Sequence, residues 1–268
     1  MTVTTEGLNA RAEPASGMNF QEKSALLTQR FLAQVFILPV YFLVSGWMRW
    51  IRGYRIENLA SVRARFQSLI RSGDKSAPVL ICSNHLTMID SFLIIWSLGS
   101  PGCYIRQFHR FPWNLPEKGN FSGNIAIRFL CYLGKCIPVI RKGPRETIQR
   151  VFQKILHVLS LGDYVMVFPE GGRGRNEKID RDSCTYGIGQ MALSCPRARV
   201  VAVYLRGNGQ KHYSYFPKKN DRFRVLMEEV KPDRSVSGLR GARQISFQIM
   251  DTLIDLEQDW FSSESSES

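Results

Sequence analysis

The stretch APVLICSNHLTMIDSF, residues 77–92, changes character at its middle. Its first half, PVLICS, is a short continuous apolar run that reads as a buried strand. Its second half opens a longer apolar segment, MIDSFLIIWSLG, of helical length. Downstream the alternation recurs. CYIRQF, CIPVI, YVMVF, ARVVAVYL and RFRVLMEEV are strand-like. GNIAIRFLCYLG, the amphipathic GPRETIQRVFQKILHVLSLG, YGIGQMALSC and residues 238–261 are helical. Strands alternating with helices predict an α/β fold with a mostly parallel or mixed sheet flanked by helices. In such sheets ligands gather beyond the carboxyl ends of strands. Two loops stand there, SNHLTMID after the first strand and FPEGGRGRN after YVMVF.

His85 and Asp90 lie five positions apart in the first loop. On one continuous helix they would differ by about 140° and could not face each other. They meet only if the histidine stays on the loop and the aspartate enters the first helical turn. An aspartate on one imidazole nitrogen then fixes the tautomer and leaves the other as a base. A plainer account stands beside this one: Thr87 to Asp90 fits a capping box, which explains the aspartate without the histidine. In the second loop, Gly171, Gly172 and Gly174 permit close backbone approach, and Arg173 and Arg175 offer forked donors for an anion. Its plain alternative is a glycine turn with a surface ion pair between Glu170 and Arg173. The final Gly-Lys-Ser/Thr of a Walker loop is missing. GIGQMA, residues 187–192, imitates a dinucleotide fingerprint but follows the polar DRDSCTY rather than a strand, so it is rejected.

Taken together and in order, these segments resemble the glycerolipid acyltransferase family, the lysophosphatidate-acyltransferase-like enzymes. They carry N-H-x4-D as Asn84 to Asp90, an apolar segment CIPVIR ending at Arg141, F-P-E-G-x-R as Phe168 to Arg173, and the apolar strand VVAVY from Val200. The resemblance covers roughly residues 76–205. It implies that His85 deprotonates an acceptor hydroxyl, which attacks an acyl thioester on coenzyme A or acyl carrier protein, with Asp90 orienting and charge-balancing the histidine. It maps Glu170, Gly171 and Arg173 onto acceptor binding and Arg141 onto phosphate holding. It implies no metal, no cofactor beyond the acyl-CoA or acyl-ACP co-substrate, and no covalent acyl-enzyme. The expected acceptor is a lysophospholipid, 1-acyl-sn-glycerol-3-phosphate first. A lyso-aminolipid or another lipid hydroxyl is the alternative, followed by a non-catalytic lipid-binding role. Three positions depart from the pattern: Lys135 replaces a glycine, Ala202 a proline, and Thr185 a basic residue.

Ahead of this unit lies FLAQVFILPVYFLVSGWM, residues 31–48, eighteen residues without a charge and followed by RWIRGYR. A cleavable signal would begin nearer Met1 and end in small residues. A spanning helix needs about twenty apolar residues, so this one is borderline. Pro39 and Ser45-Gly46 predict two short helical pieces. Tryptophans beside arginines suit a headgroup boundary. The expectation is a membrane-associated helical arm, monotopic or single-anchored on the cytoplasmic face; the alternatives are a buried core helix and a full span. The expected divisions are a disordered tail at 1–25, the arm at 26–60, the α/β acyltransferase domain at 61–261 and a second tail at 262–268.

The chain of 268 residues is long enough for a large core, and 44% hydrophobic with 22% charged residues is a globular composition. A net charge of +13 draws anionic partners. Between residues 197 and 224 eight basic residues accompany one acidic residue, Asp221, and no nucleic-acid module motif is present. An anionic lipid surface is therefore the expected partner, with nucleic acid the rival. Six cysteines show no CxxC pair and no histidine at metal-ligand spacing, and read as reduced core thiols.

Overall fold

The computed structural model describes residues 17–71, 74, 76–120, 123–140, 143–172, 178–210 and 214–267. Helix α1, Phe20–Gly46, starts earlier than its apolar core suggests because Asn19 caps it. The Asn19 side chain accepts from the Glu22 backbone at 2.8 Å while the Glu22 carboxylate accepts from the Asn19 N–H. Pro39 does not split the helix as expected, although its ring removes one donor. The interruption comes at the glycine instead: residues Trp47–Ile51 form a π turn, with the Arg52 N–H reaching the Trp47 carbonyl at 3.0 Å.

Helix α1 is apolar on two sides. Leu26, Gln29, Ala33, Ile37 and Tyr41, at helical spacing, are buried against the rest of the chain. Phe31, Val35, Phe42 and Leu43 are exposed. By length and composition it could also cross a membrane. Its docked side is fastened by polar contacts: Gln29 Nε2 donates to the carbonyls of Tyr132 and Cys136, both at 3.0 Å, and Arg30 forks onto the Asp163 carboxylate.

After α1 the chain adds strand β1, Arg55–Ile56, and helix α2, Leu59–Arg71, neither anticipated by the periodicity. Strand β2, Val79–Ser83, and helix α3, Asp90–Leu98, follow as expected. CYIRQF departs from expectation: it lies mostly in helix α4, Pro101–Arg106. The Ser100 hydroxyl caps the Cys103 N–H and Pro101 occupies the first turn, so strong start signals outweigh a β-like composition. Strand β3 is Trp113–Asn114, and helix α5 is Ile125–Leu133, capped by Asn124. CIPVI is extended but meets β3 and its continuation only through isolated bridges, Asn114 to Cys136 and Glu117 to Val139. Pro138, without an N–H, accounts for the break between them. Helix α6, Arg145–Ser160, strand β4, Val165–Val167, helix α7, Gly187–Ser194, and strands β5, Arg199–Gly207, and β6, Arg222–Val230, complete the sheet and its cover. Helix α8, Gly238–Glu267, runs into the stretch expected as a tail.

The mixed sheet has the order β1-β6-β5-β2-β4-β3. Every neighbouring pair is parallel except β5 with β6. Its strands alternate sides, as pleating requires. Val79, Ile81, Val201, Val203 and Leu205 face α1, α2 and α3. Leu80, Cys82, Val200, Ala202 and Tyr204 face α6, α7 and α8. Burying each large aliphatic side chain contributes roughly 1.5–3 kcal/mol, which makes these two layers the main source of stability. The glycines of GIGQMA serve packing: a Cβ on Gly189 would run into the Ala242 carbonyl of α8.

Candidate active site

Parallel pairing brings the two expected loops together. Cys82 of β2 stands opposite Val167 of β4, so residues 84–89 and 168–172 leave the same edge of the sheet side by side. Asn84, which in the sequence is only one letter of a motif, extends the ladder with its side chain. Its Nδ2 donates to the Leu205 carbonyl at 3.0 Å and its Oδ1 accepts from the Leu205 N–H at 2.9 Å. The loop therefore starts from a fixed point.

Asp90, only 2% exposed, gathers the loop around itself at the start of α3. Its Oδ2 accepts from the backbone N–H groups of Leu86 and Thr87 at 2.6 and 2.7 Å, and lies 3.0 Å from His85 Nδ1. Its Oδ1 accepts from the Thr87 hydroxyl. The carboxylate half of a capping box is thus present, but the Thr87 hydroxyl turns to Asp90 rather than to a backbone N–H. The same chain reversal that seats Asp90 on the helix brings His85 to it, so the capping and pairing accounts describe one geometry.

The second loop grips the first. The His85 N–H donates to the Glu170 carboxylate at 2.9 Å, and the His85 ring stacks on Phe168 with centroids 4.1 Å apart and planes 19° off parallel. Burial, partly opposed by the His85 N–H and reinforced by Glu257, Asp90 and Asp180, pushes the Glu170 carboxyl up to about 7. Gly171 adopts φ +63°, a conformation that favours glycine, and a Cβ there would strike Thr185 Cγ2. Thr185 holds the turn by donating its N–H and hydroxyl to the Pro169 carbonyl at 2.8 and 2.9 Å. Its role in place of a basic residue is invisible in the sequence, because it depends on a contact across sixteen positions. Arg141 and Arg173, the other two expected binding residues, lie outside the described residues, as do Gly174 and Arg175.

A cavity of about 700 Å³ opens beside His85. It is lined mainly by apolar side chains, with Tyr41 of α1, Met48 of the π turn, Phe92 of α3 and Phe152 of α6 among its walls. Helix α1 is therefore part of the site as well as an exposed apolar arm. Its seating depends on another of the three departures, Lys135. That residue takes φ +52°, where glycine would be at ease, and is fully buried. Its Nζ donates to the Phe111 carbonyl at 2.7 Å and to Asp163 at 3.0 Å. Asp163 also accepts from Trp113 Nε1 at 2.8 Å and from Arg30. Burial draws the Lys135 ammonium down to about 8 against the pull of Asp163. The buried cluster ties α1 to the turn Gly134-Lys135-Cys136, whose flanking residues line the cavity. All six cysteines are free, and among the described residues no three His, Cys, Asp or Glu side chains gather as metal ligands.

Residues 54–206, which include both loops, match the family described as Acyltransferase. Among solved structures, that of the 1-acyl-sn-glycerophosphate (LPA) acyltransferase PlsC from Thermotoga maritima is similar at 15% sequence identity, over 88% of this chain and 96% of that one, with a TM-score of 0.42.

Proposed function

The chain belongs to the acyltransferase family, matched over residues 54–206 of its 268, and from that premise we propose that it acylates a lysophospholipid at a membrane surface. The donor is an acyl thioester on coenzyme A or acyl carrier protein, and the preferred acceptor is 1-acyl-sn-glycerol-3-phosphate. The observation that carries this proposal is the meeting of His85, Asp90 and the Phe168–Gly171 turn beside an apolar cavity.

In the proposed mechanism Asp90 accepts from Nδ1–H of His85, leaving Nε2 as the acceptor for a substrate proton. The acceptor hydroxyl gives its proton to Nε2 as its oxygen attacks the thioester carbonyl. Asp90 stabilises the imidazolium that forms. The tetrahedral intermediate collapses by breaking the C–S bond, and the imidazolium returns the proton to the departing thiolate. The acyl chain lies in the cavity between α1, α3 and α6. Glu170 positions the histidine backbone, and Arg173 and Arg141 are assigned to the acceptor's phosphate. The exposed apolar side of α1 attaches the enzyme to the cytoplasmic face of a membrane.

Release of coenzyme A thiol from an acyl-CoA, with the acceptor varied between lysophosphatidate and a phosphate-free monoacylglycerol, tests the substrate. Turnover on lysophosphatidate that collapses on the neutral acceptor supports the proposal. Equal turnover on both rejects a phosphate-bearing acceptor.

A further inference from the structure

The segment between β5 and β6 meets the end of the arm at a surface that none of the motifs explains. Helix α1 finishes in the π turn, where Trp50 is 78% and Ile51 62% exposed. Beside it, in the loop at residues 214–219, Tyr215 is 63% and Phe216 46% exposed. Arg49, Lys218 and Lys219 are exposed as well. The two segments are fixed to one another. Arg52 donates from Nη2 to the Pro217 carbonyl at 2.8 Å, and its guanidinium lies over the rings of Trp47 and Phe216. Those rings meet edge to face at 5.9 Å. Tyr54 donates its hydroxyl to the same Pro217 carbonyl, and the Asn220 N–H reaches the Arg52 carbonyl at 2.8 Å.

Four of the eight basic residues between 197 and 224 are paired or buried. Arg197 is paired with Asp74, Arg199 with Glu229 and Arg224 with Glu57. Arg206 is buried. Asp221, the acidic member of the stretch, is buried and accepts from the N–H groups of Gly209 and Arg222. Arg222 is exposed at the start of β6, and Lys211 lies outside the described residues. Lys218 and Lys219 stand out in solvent beside two exposed aromatic rings, with Arg49 on the arm.

We propose that residues 49–51 and 214–219 form a docking patch for an anionic bilayer surface, continuing the apolar side of α1 to headgroup level. The proposal rests on the membrane attachment argued above and names the lipid charge that attachment requires. Amphipathic rings favour the boundary between headgroup and acyl chain, and flanking cations favour anionic lipid. Continuity points the same way: Phe36, Leu43 and Trp50, seven residues apart along the arm, are all exposed. The patch is also one hydrogen bond from the catalytic loop, since the Tyr215 carbonyl accepts from the Met88 N–H at 3.2 Å. Met88 lies between His85 and Asp90 and lines the cavity. Docking here would place the cavity against the lipid that supplies the acceptor.

The test compares the full chain with K218Q/K219Q on vesicles of phosphatidylcholine alone and on vesicles with about 30 mol% phosphatidylglycerol, where charge attraction acts. A surface lysine contributes roughly a fivefold gain in binding, so the double variant is expected to bind the anionic vesicles about thirty-fold more weakly. Its binding to phosphatidylcholine and its turnover on acceptor dispersed in detergent are expected to stay unchanged. Undiminished binding of the variant to anionic vesicles overturns the patch while leaving the arm as the attachment. An equal loss on both vesicle types also overturns it, because charge would not be the cause. If the unmodified chain binds neither vesicle, both the patch and the membrane attachment fall.

Discussion

The backbone N–H of His85 donates to the carboxylate of Glu170 over 2.9 Å, joining two loops 85 positions apart in the sequence. Because the carboxyl is buried, its titration is coupled to folding, and the coupling has a definite sign. Its folded value of about 7 lies above the 4.5 of an ordinary glutamate, so the folded state holds the proton more tightly. The associated stability is complete below about 4.5 and is lost as pH rises through about 7. Glu170→Gln keeps an acceptor for the His85 N–H and removes the titration. Urea unfolding at pH 5 and pH 8 should show the parent chain losing about 2–3 kcal/mol more than the variant across that interval.

Gly171→Ala should be costly despite adding one methyl group. The residue would have to hold φ +63°, and its Cβ would meet Thr185 Cγ2. A loss of about 1–3 kcal/mol in thermal stability is expected, with turnover reduced by displacement of the turn beneath His85. Thr185→Ser removes the clashing methyl and keeps the hydroxyl bond to Pro169. The double variant should recover part of the loss in a melting experiment, and simple additivity would show that the clash is not the cause.

Asp163→Asn should be among the most damaging substitutions remote from the reaction. It leaves the Lys135 ammonium buried without its counter-charge and weakens the Arg30 fork that seats α1. Removing one partner of a buried pair costs about 3–5 kcal/mol, which chemical denaturation can resolve. Arg30→Ala should cost far less, because that side chain is 31% exposed and water compensates the loss. If the two variants lose equal stability, the stranded ammonium of Lys135 is not what makes Asp163 hard to replace.

The loops are legible in the sequence because strand, turn and helix signals fall within a few residues of each other there. Residues 77–92 contain β2, the reversal and the start of α3, and the structure keeps all three. Strands β1 and β3 are not legible. Each is two residues long, and a two-residue strand has no period to detect. Helix α4 passes for a strand because a short apolar run is ambiguous, and the Ser100-Pro101 start is a stronger signal than the composition of CYIRQF. The apolar character of the arm is plain from its residues, but its second role as a cavity wall depends on Gln29, Arg30 and Asp163 meeting partners across more than a hundred positions. Lys135 illustrates the same limit. Its departure from a family glycine is visible, whereas its left-handed backbone and buried partner are tertiary facts.

The central claim is that His85 is the general base and that Asp90 acts through it. Single-turnover release of coenzyme A thiol should therefore be compared for the parent chain, His85→Ala and Asp90→Asn, each checked for folding and vesicle binding. The account predicts a loss of roughly 10²–10⁴-fold in the chemical step for His85→Ala. A comparable loss is predicted for Asp90→Asn, with acceptor affinity little changed in both. Full turnover in His85→Ala would contradict the account outright. Full turnover in Asp90→Asn, accompanied only by a stability loss of about 1 kcal/mol, would reduce Asp90 to a helix cap.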